Sequence, residues 1–110
     1  MAWVLRFFDD YGSGWLWAGD DTTLAAFDVG PLDDKLADRL SEATRAEALI
    51  LSGLHWETMN WDEPQTPLPL SATFCDDFNA RVTALFYRLQ AELGPGFRLL
   101  DQQRRMEPYP

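Results

Sequence analysis

The 110-residue chain has one histidine, His55, and one cysteine, Cys75, which leaves little nitrogen or sulfur chemistry open to it. A single thiol cannot form an internal disulfide, and structural zinc, which takes four nitrogen or sulfur ligands, is excluded as well. A Cys–His or Ser–His catalytic pair would have to use these particular residues. His55 falls near the C-terminal end of a helical pattern, where a surface or half-buried histidine favoured by the helix dipole is the ordinary case. Cys75 follows Phe74 on an apolar stripe and reads as a partly buried, inert thiol. Bases are also scarce: nine Lys and Arg stand against 18 Asp and Glu, giving a net charge of −9 and a pI near 4.3. Binding to a nucleic acid backbone or an anionic membrane surface is disfavoured on that account. No apolar run approaches the roughly 18 residues of a membrane span, and no secretory pattern opens the chain, so a cytoplasmic protein is expected.

Phosphate cradles are missing too. Gly12-Ser13-Gly14 lacks the third glycine and the following helix of a dinucleotide fingerprint, and no Walker-type run occurs. No segment matches the twelve-residue calcium loop, and adjacent aspartates on a strand point to opposite faces. The expectation is therefore no catalytic residue, no metal and no cofactor, with binding favoured over catalysis. A hydrolase built on two converging carboxylates remains as a rival.

What the chain has is acid and tryptophan. Residues 1–80 carry 15 acids and 4 bases, whereas residues 81–110 carry 3 acids and 5 bases, so the acidic surface belongs to the first three-quarters of the chain. Acids come as neighbours, Asp9-Asp10, Asp20-Asp21, Asp33-Asp34, Asp62-Glu63 and Asp76-Asp77, either as helix starts and turn formers or as a converging row that imitates phosphates. The five tryptophans are several times ordinary usage. Trp15 and Trp17, on one face of a strand, are core candidates, as is Trp3; Trp61, in a proline-rich loop, suits either core or surface.

Residues 2–8 and 15–18 read as strands joined by the turn formers of 9–14, and the run 24–29 is ambiguous between strand and short helix. Leu32, Leu36, Leu40, Ala43, Ala46, Ile50 and Leu54 form a helical stripe, broken near Ser41, which suits an N-cap. Pro64, Pro67 and Pro69 keep 60–70 out of helix. Ser71 caps a second helix with the stripe Phe74, Phe78, Val82, Leu85, Phe86, Leu89 and Leu93, stopped by Gly94-Pro95-Gly96. Residues 97–101 read as a last strand, and 105–110 as a frayed tail of a single domain spanning 1–110. The order β-β-α-α-β predicts a two-layer α+β fold, with a small, mostly antiparallel sheet packed by two amphipathic helices.

The runs Tyr11 to Asp20, Asn60-Trp61-Asp62-Glu63-Pro64, Pro69 to Asn79 and Arg88 to Pro95 resemble small acidic bacterial proteins of the immunity class, encoded beside polymorphic and contact-dependent growth-inhibition toxins. The resemblance implies a partner: the C-terminal domain of a cognate toxin, often a basic nuclease, neutralised by stoichiometric occlusion. It carries over no binding residue. From chemistry alone, the expected contact surface is a charged ring of Asp9, Asp10, Asp20, Asp21, Asp62 and Glu63 around the aromatic anchors Tyr11, Trp56 and Trp61. A generic acidic module for another basic partner shares all these features, and the oligomeric state is left open.

Overall fold

The computed structural model describes residues 2–110. Three strands, β1 (Trp3–Phe7), β2 (Leu16–Ala18) and β3 (Phe97–Asp101), form one sheet in the order β2-β1-β3. Helices α1 (Asp21–Ala26), α2 (Glu42–Glu57) and α3 (Ala72–Leu93) complete the α+β fold in the anticipated order, with α1 an addition built from the ambiguous run. The sheet is mixed rather than mostly antiparallel: β1 pairs antiparallel with β2 but parallel with β3, Leu5 lying opposite Leu99. The reason lies at the end of α3. The short turn Gly94-Pro95-Gly96 delivers the chain beside the start of β1, where the Trp3 amide donates to the Gly96 carbonyl at 2.8 Å, so β3 has to run alongside β1.

Helix α3 forms as its stripe dictates. The Ser71 hydroxyl accepts from the Phe74 amide, and Phe78, Val82, Leu85, Leu89 and Leu93 are buried against Leu5, Phe7, Phe97 and Leu99. Helix α2 does not. Ser41 caps it as expected, but Ala43, Ala46 and Ile50 face outward, while Thr44, Leu51, Ser52 and His55 face inward. Polar side chains took the inner face because each has a partner there: Thr44 Oγ1 donates to Glu92 on α3, and Ser52 and His55 both meet Asp9. Arg81 of α3 adds a paired contact to Glu47 of α2 at 2.7 and 3.0 Å.

Ahead of α2 the chain makes turns and a single 3-10 turn (Ala37–Arg39) instead of a helix, yet Leu32 and Leu36 are fully buried. Asp33, suited by sequence to a helical first turn, instead accepts from the amides of Trp15 and Leu16. Trp15 stacks on Phe7 inside the core, whereas Trp17 stacks on Phe8 on the other side of the sheet. The two tryptophans therefore lie on opposite faces, because Trp15 precedes the strand and strand alternation does not reach it. Residues 105–110, expected to fray, are tied down. Asn79 brackets Met106 through its amide and carbonyl, Arg105 pairs with Asp101, and Tyr109 exchanges two backbone hydrogen bonds with Leu70.

Two glycines lead to opposite predictions. A Cβ on Gly14, whose φ is 139°, would lie 2.8 Å from Pro31 Cβ and 3.0 Å from the Asp33 carboxylate. Gly53 lies inside α2 with nothing within 4 Å of the same added atom. Gly14→Ala should lower unfolding free energy by about 1–3 kcal/mol, and Gly53→Ala should raise it by about 0.5–1 kcal/mol. Urea melts of both variants check the pair.

Candidate functional site

The loop after β1 is organised by one carboxylate. Asp9 is 4% exposed, and its two oxygens accept from the amides of Gly12 (2.9 Å) and Gly14 (3.0 Å) and from Ser52 Oγ (2.8 Å), with His55 Nδ1 at 2.8 Å. Its own amide donates to Gln103 Oε1 at 2.7 Å, fastening the loop to the segment after β3. Asp9 is thus a hub beneath the surface and not part of a contact ring, which corrects the expectation for this residue. A carboxylate with four donors is the natural end to a β-strand whose following amides would otherwise be orphaned.

Burial by itself would raise the Asp9 pKa, but the contacts from His55, Gly12, Ser52 and Gly14 outweigh it and hold the group below the usual carboxylate range. Asp33 goes the other way. Burial dominates, and with the charge of Asp9 it keeps the pKa raised in spite of the Trp15 and Leu16 amides. Two neighbouring carboxylates with opposite shifts invite an acid–base reading. The hydrogen bonds do not support one here, since Ser52 and His55 both spend their contacts on Asp9 and no bond links the hydroxyl to the imidazole. Asp33 is likewise occupied by two backbone amides.

On top of the hub lies an aromatic cluster, half-buried at Tyr11 and exposed at Trp56 and Trp61. Tyr11, at a left-handed φ of 44°, stacks on His55 with centroids 4.3 Å apart. Its ring meets Trp61 edge-on at 6.1 Å, and Trp61 stacks on Trp56 at 4.1 Å while its Nε1 donates to the Trp56 carbonyl. Trp56 and Trp61 remain 50% and 46% exposed. Asp10, Glu57, Asp62 and Glu63 are exposed beside these rings in the chain, and among the described residues none of the four is in an ion pair. A shallow pocket of about 250 Å³ between Tyr11, His55 and Arg104 borders the cluster, and an apolar groove of about 760 Å³ runs between Leu54, Leu70, Phe74 and Tyr109.

The anticipated contact residues are therefore divided. Tyr11, Trp56 and Trp61 come together, with Asp10, Asp62 and Glu63 next to them in the chain. Asp20 and Asp21 lie at the other end of β1, where Gly19 bonds Val4, and Asp20 caps α1 by accepting from the Thr23 amide. Helix capping thus accounts for Asp20, the ordinary role of such a doublet. What sequence reasoning missed is the part played by His55 as the platform under Tyr11. Its only signal was Ser52 three residues ahead, one polar face on a helix otherwise rich in alanine and leucine.

Compared with protein-family models and with curated proteins, the sequence matches none.

The opposite shifts of the two carboxylates give a pH test. Stability contributed by Asp9 is present above the ordinary carboxylate range and is lost as pH falls through its lowered folded pKa. For Asp33 the sign reverses: its contribution is complete below the ordinary range and is lost as pH rises through its raised folded pKa. Relative to the unsubstituted protein, Asp9→Asn should lose more Tm at pH 7 than at pH 3, and Asp33→Asn should compare more favourably at pH 7 than at pH 3. Thermal melts at both values check the two slopes.

Proposed function

We propose that the protein is an immunity protein, which binds the basic C-terminal domain of a cognate toxin and neutralises it by occlusion. The observation that carries this reading is the Tyr11–Trp61–Trp56 cluster, its two tryptophans half-exposed and stacked, its tyrosine edge-on to Trp61, accompanied by carboxylates that, among the described residues, have no ion-pair partner. Half-exposed tryptophans are costly to leave in water and are the residue type that dominates binding energy once desolvated. Unpaired carboxylates around them steer a basic surface into contact and set the salt dependence of association. A net charge of −9 extends that field over the molecule. The buried Asp9 hub, with its Ser52 and His55 contacts, holds the cluster in one geometry before the partner arrives, which reduces the ordering cost of binding.

Occlusion needs no chemistry from the inhibitor, and the Ser52 and His55 side chains beneath the cluster are already engaged by Asp9. The doublet Asp9-Asp10 shows the two uses side by side, Asp9 buried and building the loop, Asp10 exposed beside the cluster.

The test is co-expression with the C-terminal domain of the toxin encoded beside it. Growth should stop when that domain is induced alone and recover when this chain is present. In the purified pair, Asp10→Lys/Asp62→Lys/Glu63→Lys should weaken binding at least about tenfold and flatten its dependence on salt. Asp21→Lys, at the far end of β1, should leave affinity within about twofold. Unchanged affinity and salt dependence in the triple variant would remove the cluster from the interface.

A further inference from the structure

The stripe Ala43, Ala46, Ile50 and Leu54, which has the period of a core-facing helix, points largely away from the core. Leu49 is 75% exposed and Ile50 52%, and with Ala46, Gly53 and Trp56 they give α2 a second apolar face, directed outward and continued by Trp61. We propose that this outward face of α2 is a docking site for an amphipathic helix with a basic flank, carried by the partner. The proposal rests on the reading of the chain as a binder of a basic protein, and names the element that the partner inserts.

Shape is the first argument. Residues 46–56 rise about 15 Å along the helix axis, some three turns. Ala46, Leu49, Gly53 and Trp56 fall at spacings of three and four, so large and small side chains alternate along one line. Such alternation of Ala46 and Gly53 with Leu49 and Trp56 is the pattern into which the ridges of a second helix pack. Gly53 is the second argument. A glycine inside a helix is destabilising relative to alanine, and among the described residues nothing outside its own helix comes within 4 Å of an added Cβ. A closely approaching backbone is a use for a glycine that the fold itself does not have.

Charge selects the occupant. Glu42 and Glu57 stand at the two ends of the face, with Asp62 and Glu63 beyond Trp61, all exposed and, among the described residues, without ion pairs. Within residues 42–63 of the sequence Arg45 is the single base. A second copy of this chain would bring another net charge of −9 to the same place, whereas a helix with lysine or arginine along its flanks neutralises the rim.

The probe is a synthetic peptide of about 14 residues, leucine and lysine patterned as an amphipathic helix, compared with a scrambled peptide of identical composition. The patterned peptide should bind at least tenfold more tightly, gain helical circular dichroism on binding and shift the tryptophan fluorescence. Leu49→Glu/Ile50→Glu changes only exposed side chains and should lose at least tenfold in affinity while keeping its melting temperature. Gly53→Gln is the sharper variant, because it should raise the melting temperature and weaken binding together. Equal binding of the scrambled peptide, or unchanged affinity in both variants, overturns the docking site. Sedimentation showing a dimer that Leu49→Glu/Ile50→Glu converts to monomer also overturns it, by making a second copy the occupant. If these variants bind the basic partner normally while Asp62→Lys/Glu63→Lys does not, the helix site falls and the reading as a binder of a basic protein stands.

Discussion

The Asp9 carboxylate, out of contact with water, joins parts of the chain that are far apart in sequence. Its oxygens hold the amides of its own loop and two side chains of α2, while its amide holds the segment that follows β3. Removing a carboxylate from water is unfavourable unless its lone pairs are all answered, and here four donors answer them. The geometry of everything above it follows. Tyr11 takes its left-handed conformation in a turn whose following glycines, Gly12 and Gly14, donate their amides to Asp9, and Trp56, which holds Trp61 through its carbonyl, is placed by α2, whose roll about its axis is set by Ser52 and His55 reaching inward.

That roll also explains which elements were legible in the sequence. Helix α3 could be read residue by residue because its inner face is purely apolar, so hydrophobic periodicity and burial coincide. Helix α2 carries apolar side chains on two faces, and periodicity alone chose the wrong one. The inner face was decided by hydrogen bonds to Asp9 and Glu92, partners that lie 43 and 48 residues away and leave no trace in local pattern. The strand order was only half readable for a related reason. A hairpin between β1 and β2 follows from local turn chemistry, but the parallel pairing of β1 with β3 depends on where α3 ends in space.

The candidate surface was legible to a similar degree. Its aromatic anchors stood out by composition and by their position in loops, and the structure draws them into contact. The acids were harder to sort. Asp9, Asp20 and Asp33 satisfy backbone amides, while among the described residues Asp10, Asp62 and Glu63 are in no ion pair. A doublet such as Asp9-Asp10 therefore splits, one member inward and one outward, and no count of acidic residues distinguishes the two. The distinction is whether free amides lie within reach, which is a property of the turn and not of the acid.

The central strand has a consequence for how the protein is made. β1 precedes its partner β3 by β2 and all three helices, and the five-residue register between them pairs Trp3 with Phe97 and Phe7 with Asp101. Until residues 97–101 emerge, β1 has only the three residues of β2 beside it and one edge of unpaired backbone. Contacts of such long sequence separation slow folding and leave an apolar strand open to other chains during synthesis. Helices α2 and α3, whose backbone hydrogen bonds are local, are free to form before the sheet closes. Completion of the sheet is then a late docking event, coupled through Gln103 to the closing of the Asp9 loop, so the aromatic surface is presented only once the segment after β3 is in place.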